Sequence, residues 1–454
     1  MTTTPKSLRI GTAASWWGDR VDPARLIAET CDLDYLCFET MSEVTISSAQ
    51  VTKRRNPSFP GYDSFLDQRM QAVLPGCLKR GTKITSNQGW INPTGAAERI
   101  VHWLRHFGAK GVKVAAISGS QITDRLYGMN TTLFENGKPT SSLGDSLVSA
   151  EAYLGAEPIL KALQQGAQIV VSGRCADPAL YLAPMMHSFG WKPTDYEMLG
   201  RGTGIGHLLE CGPQITGGYF ADPGFKDVPE PWNLGYPFAE VLSDGSAIIG
   251  KPDGTGGLIS ERTVKEQLLY EIHDPANYIT PDVVVDLTGA RISQVGADRV
   301  RVDGISGKPR TDTLKVSVGC LEGWAIEEML FFAGEGALDR AMLSKRILEE
   351  RFRIIDLKAQ EVRFDLPGLN AIHQGIGPDL ASEPYEVILR ASVKTASLEE
   401  AQKVGSEFDA MGVNGPGMIG KRAPRLDRVR EVVGVMSTLV PRDQVTPRID
   451  YFVS

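Results

Sequence analysis

Apolar residues in the first half of the chain fall into short dense blocks, separated by longer stretches in which they recur every third or fourth position. The blocks at residues 8–11, 34–39, 83–87, 112–117 and 169–171 have the length and composition of strands. The last contains Ile169-Val170-Val171, apolar throughout, as a parallel strand covered on both faces requires. Residues 23–30, 65–79, 93–107 and 179–187 carry helical patterns, and Pro93 opens the third of these beside the capping candidates Asn92 and Thr94. Alternation of this kind predicts βαβ units, a mostly parallel sheet, and helices laid on its faces by right-handed crossovers. Residues 118–148 are polar and punctuated by glycine, which predicts an insertion or lid.

Beyond residue 240 the rhythm changes. Residues 241–251 read as a hairpin about Asp244-Gly245, and 283–287, 291–295 and 299–302 as short strands. A β-α-β, β-α-β series follows: strand 314–318, helix 326–352 interrupted by Gly334 and Gly336, strands 361–366 and 385–393, helix 398–411, strand 429–439. That order belongs to the split-βαβ, ferredoxin-like arrangement. The expected fold class is therefore α/β: a Rossmann-like N-terminal domain, residues 1–240, carrying the site, then an α+β ferredoxin-like domain, residues 241–454.

Composition narrows the function. The 454 residues are 42% hydrophobic and 23% charged, with a net charge of −7 and no basic arm, so nucleic acid is not an expected partner. No apolar run approaches the ~20 residues that span a bilayer, so no membrane is expected either. Six scattered cysteines without a CxxC pair, behind a short polar N-terminus, point to the reducing cytoplasm. Neither an HExxH pattern nor a Cys/His cluster is present, and no metal is expected. A homo-oligomer is expected on general frequency alone.

Ligands in α/β sheets bind at the carboxyl ends of the strands. Ser172-Gly173-Arg174-Cys175-Ala176-Asp177-Pro178 follows the most apolar block. It offers a cation for an anionic group and a carboxylate for proton transfer. His207 and Glu210, three apart on a predicted helix, share a face and suit a base with its orienting partner. Asn87, at the end of the third block, suits polarisation of a carbonyl. Gly202-Thr203-Gly204-Ile205-Gly206 reads as a glycine-rich turn whose amides could hold phosphate, although it lacks the lysine of a P-loop. The loop from Lys251 through Gly256 joins a cation to a second glycine cluster. Asn414-Gly415-Pro416-Gly417, with Lys421 and Arg422 nearby, is most simply a tight turn.

With these residues in view, the chain resembles the acyclic terpene utilisation family, the AtuA-type proteins. The resemblance rests on Glu43-Val44-Thr45, Asn87-Gln88-Gly89, Ala152-Tyr153-Leu154-Gly155-Ala156, Ser172-Gly173-Arg174, Gly206-His207-Leu208-Leu209-Glu210-Cys211-Gly212 and Thr216-Gly217-Gly218. Where the family pattern has a glycine pair and an aspartate-tyrosine pair, this chain has Ala14-Ser15 and Glu39-Thr40. The resemblance implies bacterial catabolism of branched terpenoid acids as coenzyme A thioesters, and it supplies no catalytic residues. Coenzyme A thus enters as part of a small-molecule substrate; no other cofactor is named. The expected function is hydratase- or lyase-type acid/base chemistry on an acyl-CoA or related carboxylated metabolite. Asp177 or Glu210 moves the proton, His207 supports it, and Arg174 and Asn87 hold the substrate. The alternatives are a hydrolase or acyl transferase using Cys175 or Cys211, and a non-catalytic acyl-CoA-binding subunit of a carboxylase-type assembly.

Overall fold

The computed structural model describes residues 7–374, 384–417, 419–421 and 428–454; Arg422 lies outside them. In chain order, β1 (Ser7–Ala14), α1 (Asp22–Thr30), β2 (Tyr35–Phe38), α2 (Glu43–Arg55), α3 (Leu66–Arg80) and β3 (Lys83–Ser86) come first. Next are α4 (Pro93–His106), β4 (Lys113–Ser118), α5 (Thr123–Met129), β5 (Leu147–Ala152), α6 (Glu157–Gln164), β6 (Ile169–Ser172), α7 (Ala179–Phe189) and α8 (Tyr196–Glu210). They are followed by β7 (Phe238–Leu242), β8 (Ala247–Gly250), α9 (Glu261–Leu269), β9 (Tyr278–Ile279), β10 (Val284–Asp286), β11 (Arg291–Gly296), β12 (Arg299–Asp303) and β13 (Ser306–Lys308). The remainder comprises β14 (Thr313–Ala333), α10 (Ala337–Ile354), β15 (Ala359–Asp365), β16 (Glu386–Thr395), α11 (Leu398–Asn414), β17 (Gly420–Lys421), β18 (Val429–Pro441) and β19 (Arg448–Val453).

Ten strands make one mixed sheet in the order β11-β12-β8-β7-β1-β2-β3-β6-β4-β19. The run β1-β2-β3-β6-β4 is parallel, as the alternating pattern predicts. The flanking strands are antiparallel: β7, β8, β12 and β11 on one side, β19 on the other. The sheet is thus mixed rather than mostly parallel, because the hairpins beyond residue 238 extend it instead of starting a new domain.

Side chains alternate between two cores, as a pleated strand dictates. Leu36, Phe38, Val114, Ala116, Ile169 and Val171 pack against α1, α3 and α4. Tyr35, Cys37, Ala115, Ile117 and Val170 face α6, α7 and α8. Both faces of the parallel core are covered, which explains the unbroken apolar run in β6. No helix among the described residues is long and apolar enough to cross a membrane.

The chain divides into two compact units, residues 1–319 with 435–454 and residues 320–434. The second unit has its own core, including Leu330, Phe332, Leu348, Leu389, Val393 and Phe408. Its strands β15, β16 and β14 pair antiparallel in that order, and β17 and β18 also pair with β14. One predicted helix, 326–352, is strand up to Ala333 and helix only from Ala337. Trp324 to Ala333 pairs residue by residue with β16, with Ile326, Leu330 and Phe332 buried at even spacing. Gly334 and Gly336, both at positive φ, then turn the chain into α10.

Candidate active site

The turn after β6 is pinned on both sides. Gly173 donates its N–H to the Ile117 carbonyl, and Ala176 donates to the carbonyl of Leu154, which bridges Cys175. A side chain at Gly173 would meet the Trp90 carbonyl and the Ser120 hydroxyl, so only glycine lets the strand end lie so close. This geometry buries Arg174 to 1% exposure. Its Nη1 donates to the Met41 carbonyl at 2.5 Å and to Asp177 Oδ1 at 3.1 Å, and its Nη2 lies 3.7 Å from Glu43. The guanidinium also stacks on Tyr153, 4.0 Å from the ring centre.

Glu43 is the first residue of α2, a helix the apolar pattern does not announce; Ser42 caps it by accepting the Thr45 N–H. Tyr153 donates its hydroxyl to Glu43, and the Lys315 ammonium is 3.3 Å away. Burial would raise the Glu43 carboxyl, but Arg174, Tyr153 and Lys315 outweigh it and hold the group near 2, firmly ionised. Asp177 behaves differently. Burial pushes it up, Arg174 pulls it down, and the Glu43 and Glu271 charges push it up again, to about 6.

These side chains line a cavity of about 270 Å³ together with His207, Glu210, Glu271 and Tyr278. His207 and Glu210 sit in the last turn of α8, and His207 Nδ1 is 2.8 Å from Glu210 Oε1. Burial lowers His207 to about 4 and keeps it neutral. Burial, with the Asp177 and Glu271 charges, holds Glu210 well above the usual carboxylate range. The carbonyl end of a helix adds to the cost of a negative charge there. His207 Nε2 and Glu210 Oε2 are both buried without a hydrogen-bond partner, and buried polar atoms left so call for a ligand or water. No group of three or more His, Cys, Asp or Glu with metal-binding geometry occurs among the described residues.

The structure therefore brings Arg174, Asp177, His207 and Glu210 to one cavity. It does not bring Asn87 there. Asn87 is fully buried, its oxygen accepting the Thr40 N–H at 2.7 Å and its amide donating to Glu39 at 3.1 Å. With both functions engaged, it braces the end of β2. Gly202, Thr203 and Gly204 need a larger correction, because they lie inside α8 rather than in a turn. A Cβ at Gly202 would strike Leu182 and Trp191, and one at Gly204 would strike Ile305, so these glycines let the helix pack closely. Their amides serve the helix.

Lys251 and Gly256 belong elsewhere in the first unit. Lys251 donates to the Thr255 carbonyl at 2.8 Å and pairs with Asp298 at 3.2 Å, while Gly256 lies against the Glu230 backbone. Lys251 lines a separate cavity with Arg9 and Asp32, which shares no lining residue with the first. Tyr153, Glu271, Tyr278 and Lys315 are functional candidates that local sequence patterns do not single out, although Tyr153 falls within a family string. The cysteines are poorly suited to nucleophilic work. Burial pushes Cys175 up to about 12 and raises Cys211 too, so neither is a thiolate at neutral pH.

These features define a mixed α/β protein with a carboxylate-rich cavity beyond the ends of its parallel strands. The chain matches the family described as acyclic terpene utilisation family protein AtuA over residues 8–451, and it belongs to that family. None of the curated proteins matches the chain.

Proposed function

We propose that the protein is an enzyme of acyclic terpenoid breakdown that adds or removes water next to an acyl carbonyl, with an acyl-CoA or related carboxylated metabolite as substrate. The observation that carries this reading is the pairing of Asp177 with Glu210 across one cavity. Asp177, at about 6, is mostly ionised at pH 7, whereas burial pushes Glu210 well up, toward its protonated form, beside a neutral histidine. Two acidic groups pushed into opposite protonation states make one base and one acid. Asp177 takes the proton next to the carbonyl. The Glu210–His207 pair, uncharged as a unit, gives a proton to the departing hydroxyl, so that water leaves and a double bond forms. Hydration is the same path in reverse.

Arg174 is nearly inaccessible and positions Asp177 and Glu43. Lys315, with 45% of its side chain exposed, is the cation better placed to face an anionic group of the substrate. A cavity of about 270 Å³ suits the acyl part of a thioester rather than the whole of it. The strand order and β-α-β, β-α-β series of residues 320–434 support a ferredoxin-like second domain.

The test is turnover of branched 3-hydroxyacyl-CoA and enoyl-CoA thioesters. Loss of a general acid or base costs ~10²–10⁴-fold, so Asp177→Asn and Glu210→Gln should each lower turnover by that much while leaving the protein folded. Undiminished turnover in both variants overturns the mechanism.

A further inference from the structure

A second cavity, of about 200 Å³, adjoins the first within the same unit. Three chain segments furnish both walls. Tyr153 lines the first cavity and Leu154 and Gly155 the second; Pro281 lines the first and Asp282 the second. Arg310 lines the second, Thr311 the first, and Leu314 both. Because neighbouring Cα atoms are about 3.8 Å apart, the two spaces are separated by the thickness of these segments.

Three cations line the second cavity, Lys161, Arg310 and Arg442, and the fold leaves donors free on two of them. Lys161, exposed on α6, has no acceptor among the described residues. Arg442 is anchored by its Nε and Nη2, which donate to the carbonyls of Thr311 and Pro281, the latter at 2.7 Å. Its Nη1 has no acceptor among the described residues. Arg310 is shared with Glu157. The other carboxylate, Asp282, is committed: both its oxygens accept the Ala156 N–H at the start of α6, at 2.9 and 3.0 Å. Three cations thus face one paired and one committed carboxylate. Guanidinium and ammonium donors held apart in this way suit the oxygens of a phosphoryl group.

We infer that the second cavity binds a phosphoryl or pyrophosphoryl group, with Lys161 and Arg442 as its principal donors. The inference rests on the proposed function for the choice of coenzyme A as the carrier of that group, but its test needs no turnover. Binding is measured calorimetrically for coenzyme A, for inorganic pyrophosphate, and for pantetheine, which has the same thiol arm without phosphate. Wild type should bind coenzyme A and pyrophosphate, and Lys161→Met and Arg442→Met should each weaken both by about tenfold, the worth of one charge-assisted hydrogen bond. Pantetheine should bind more weakly, equally in all three proteins. Lys161 is exposed and its replacement leaves the core untouched, so its variant decides the matter if Arg442→Met fails to fold. Coenzyme A affinity unchanged in Lys161→Met overturns the site. Pyrophosphate binding without coenzyme A binding overturns the choice of carrier and leaves a site for free phosphate. The calorimetry reads binding of unacylated ligands alone, so a failure of the proton-transfer reading is told apart from a failure of this one.

Discussion

Glu151 lies behind the cavity wall, 1% exposed, and illustrates how this protein manages buried acids. The Ser120 hydroxyl donates to one of its oxygens at 2.8 Å and the Gln50 amide to the other at 3.4 Å. Burial outweighs both of these hydrogen bonds and the nearby Arg174 charge, and lifts the carboxyl to about 7 from an ordinary 4.5. An acid raised in this way costs nothing below its unfolded pKa, where it is protonated in both states. The cost grows as pH rises through 4.5 and is complete above 7, where it reaches about 3 kcal/mol. Glu151→Gln keeps the shape and removes the titration. Relative to wild type, the variant should therefore gain stability between pH 5 and pH 8 by an amount approaching that figure, measured by urea unfolding at each pH. Equal pH dependence in the two proteins would mean that Glu151 ionises freely in the fold. The same logic separates what could be read from sequence at the cavity from what could not. Arg174 with Asp177, and His207 with Glu210, are three apart, so local spacing reveals them. Tyr153, Glu271 and Lys315 arrive from distant segments, and only the fold assembles them. Asn87 has a suitable side chain for carbonyl contact, yet its hydrogen bonds are spent on Thr40 and Glu39.

Helix α8 is the element on which the sequence pattern misleads most. Three glycines in five residues signal a turn by ordinary propensity, since each costs ~1 kcal/mol against alanine in a helix. The helix forms regardless, because Leu199, Ile205, Leu208 and Leu209 are buried along it and neighbouring side chains and backbone press against the bare positions. At Gly200, a Cβ would stand 2.3 Å from the Ser306 carbonyl oxygen and 2.6 Å from Gly307 Cα, neither of which can swing aside. At Gly128, inside α5, a Cβ would meet nothing within 4 Å. Gly200→Ala should therefore destabilise by about 1–3 kcal/mol through overpacking, despite its better helix propensity. Gly128→Ala should be neutral or stabilise by up to about 1 kcal/mol. Thermal unfolding of the two variants reads the difference directly. If Gly200→Ala proves as stable as Gly128→Ala, close approach is not what keeps α8 rich in glycine.

Across the first unit, the parallel strands were the legible part of the fold, because helical crossovers join strands that lie close in sequence. The antiparallel flanks were not, because their partners are remote: Ser7 pairs with Leu242, and Lys113 with Val453. The hairpin of β7 and β8 is visible as a hairpin, yet nothing local says that it joins β1. Strand β19 was missed altogether, since Arg448-Ile449-Asp450-Tyr451-Phe452-Val453 mixes charge with alternating apolar residues, as an edge strand does. The structure nevertheless gives β19 a demanding task. It closes the β4 edge over the register Arg448↔Ser118 to Val453↔Lys113, and Ile449 and Phe452 pack against opposite cores. Ser454 adds hydrogen bonds to the backbone at Gly111 and Val112. Deleting residues 446–454 should cost up to about 3 kcal/mol from the two partly buried apolar side chains alone. It should also bare β4, a largely buried strand that lies next to β19 in the sheet, as an edge open to other chains. The expected result is a lower melting temperature and concentration-dependent aggregation of the truncated protein, both absent from an Arg448→Ala variant that keeps the strand. A truncated protein that melts with the wild type and stays dispersed at high concentration would mean that β4 is protected by something other than β19.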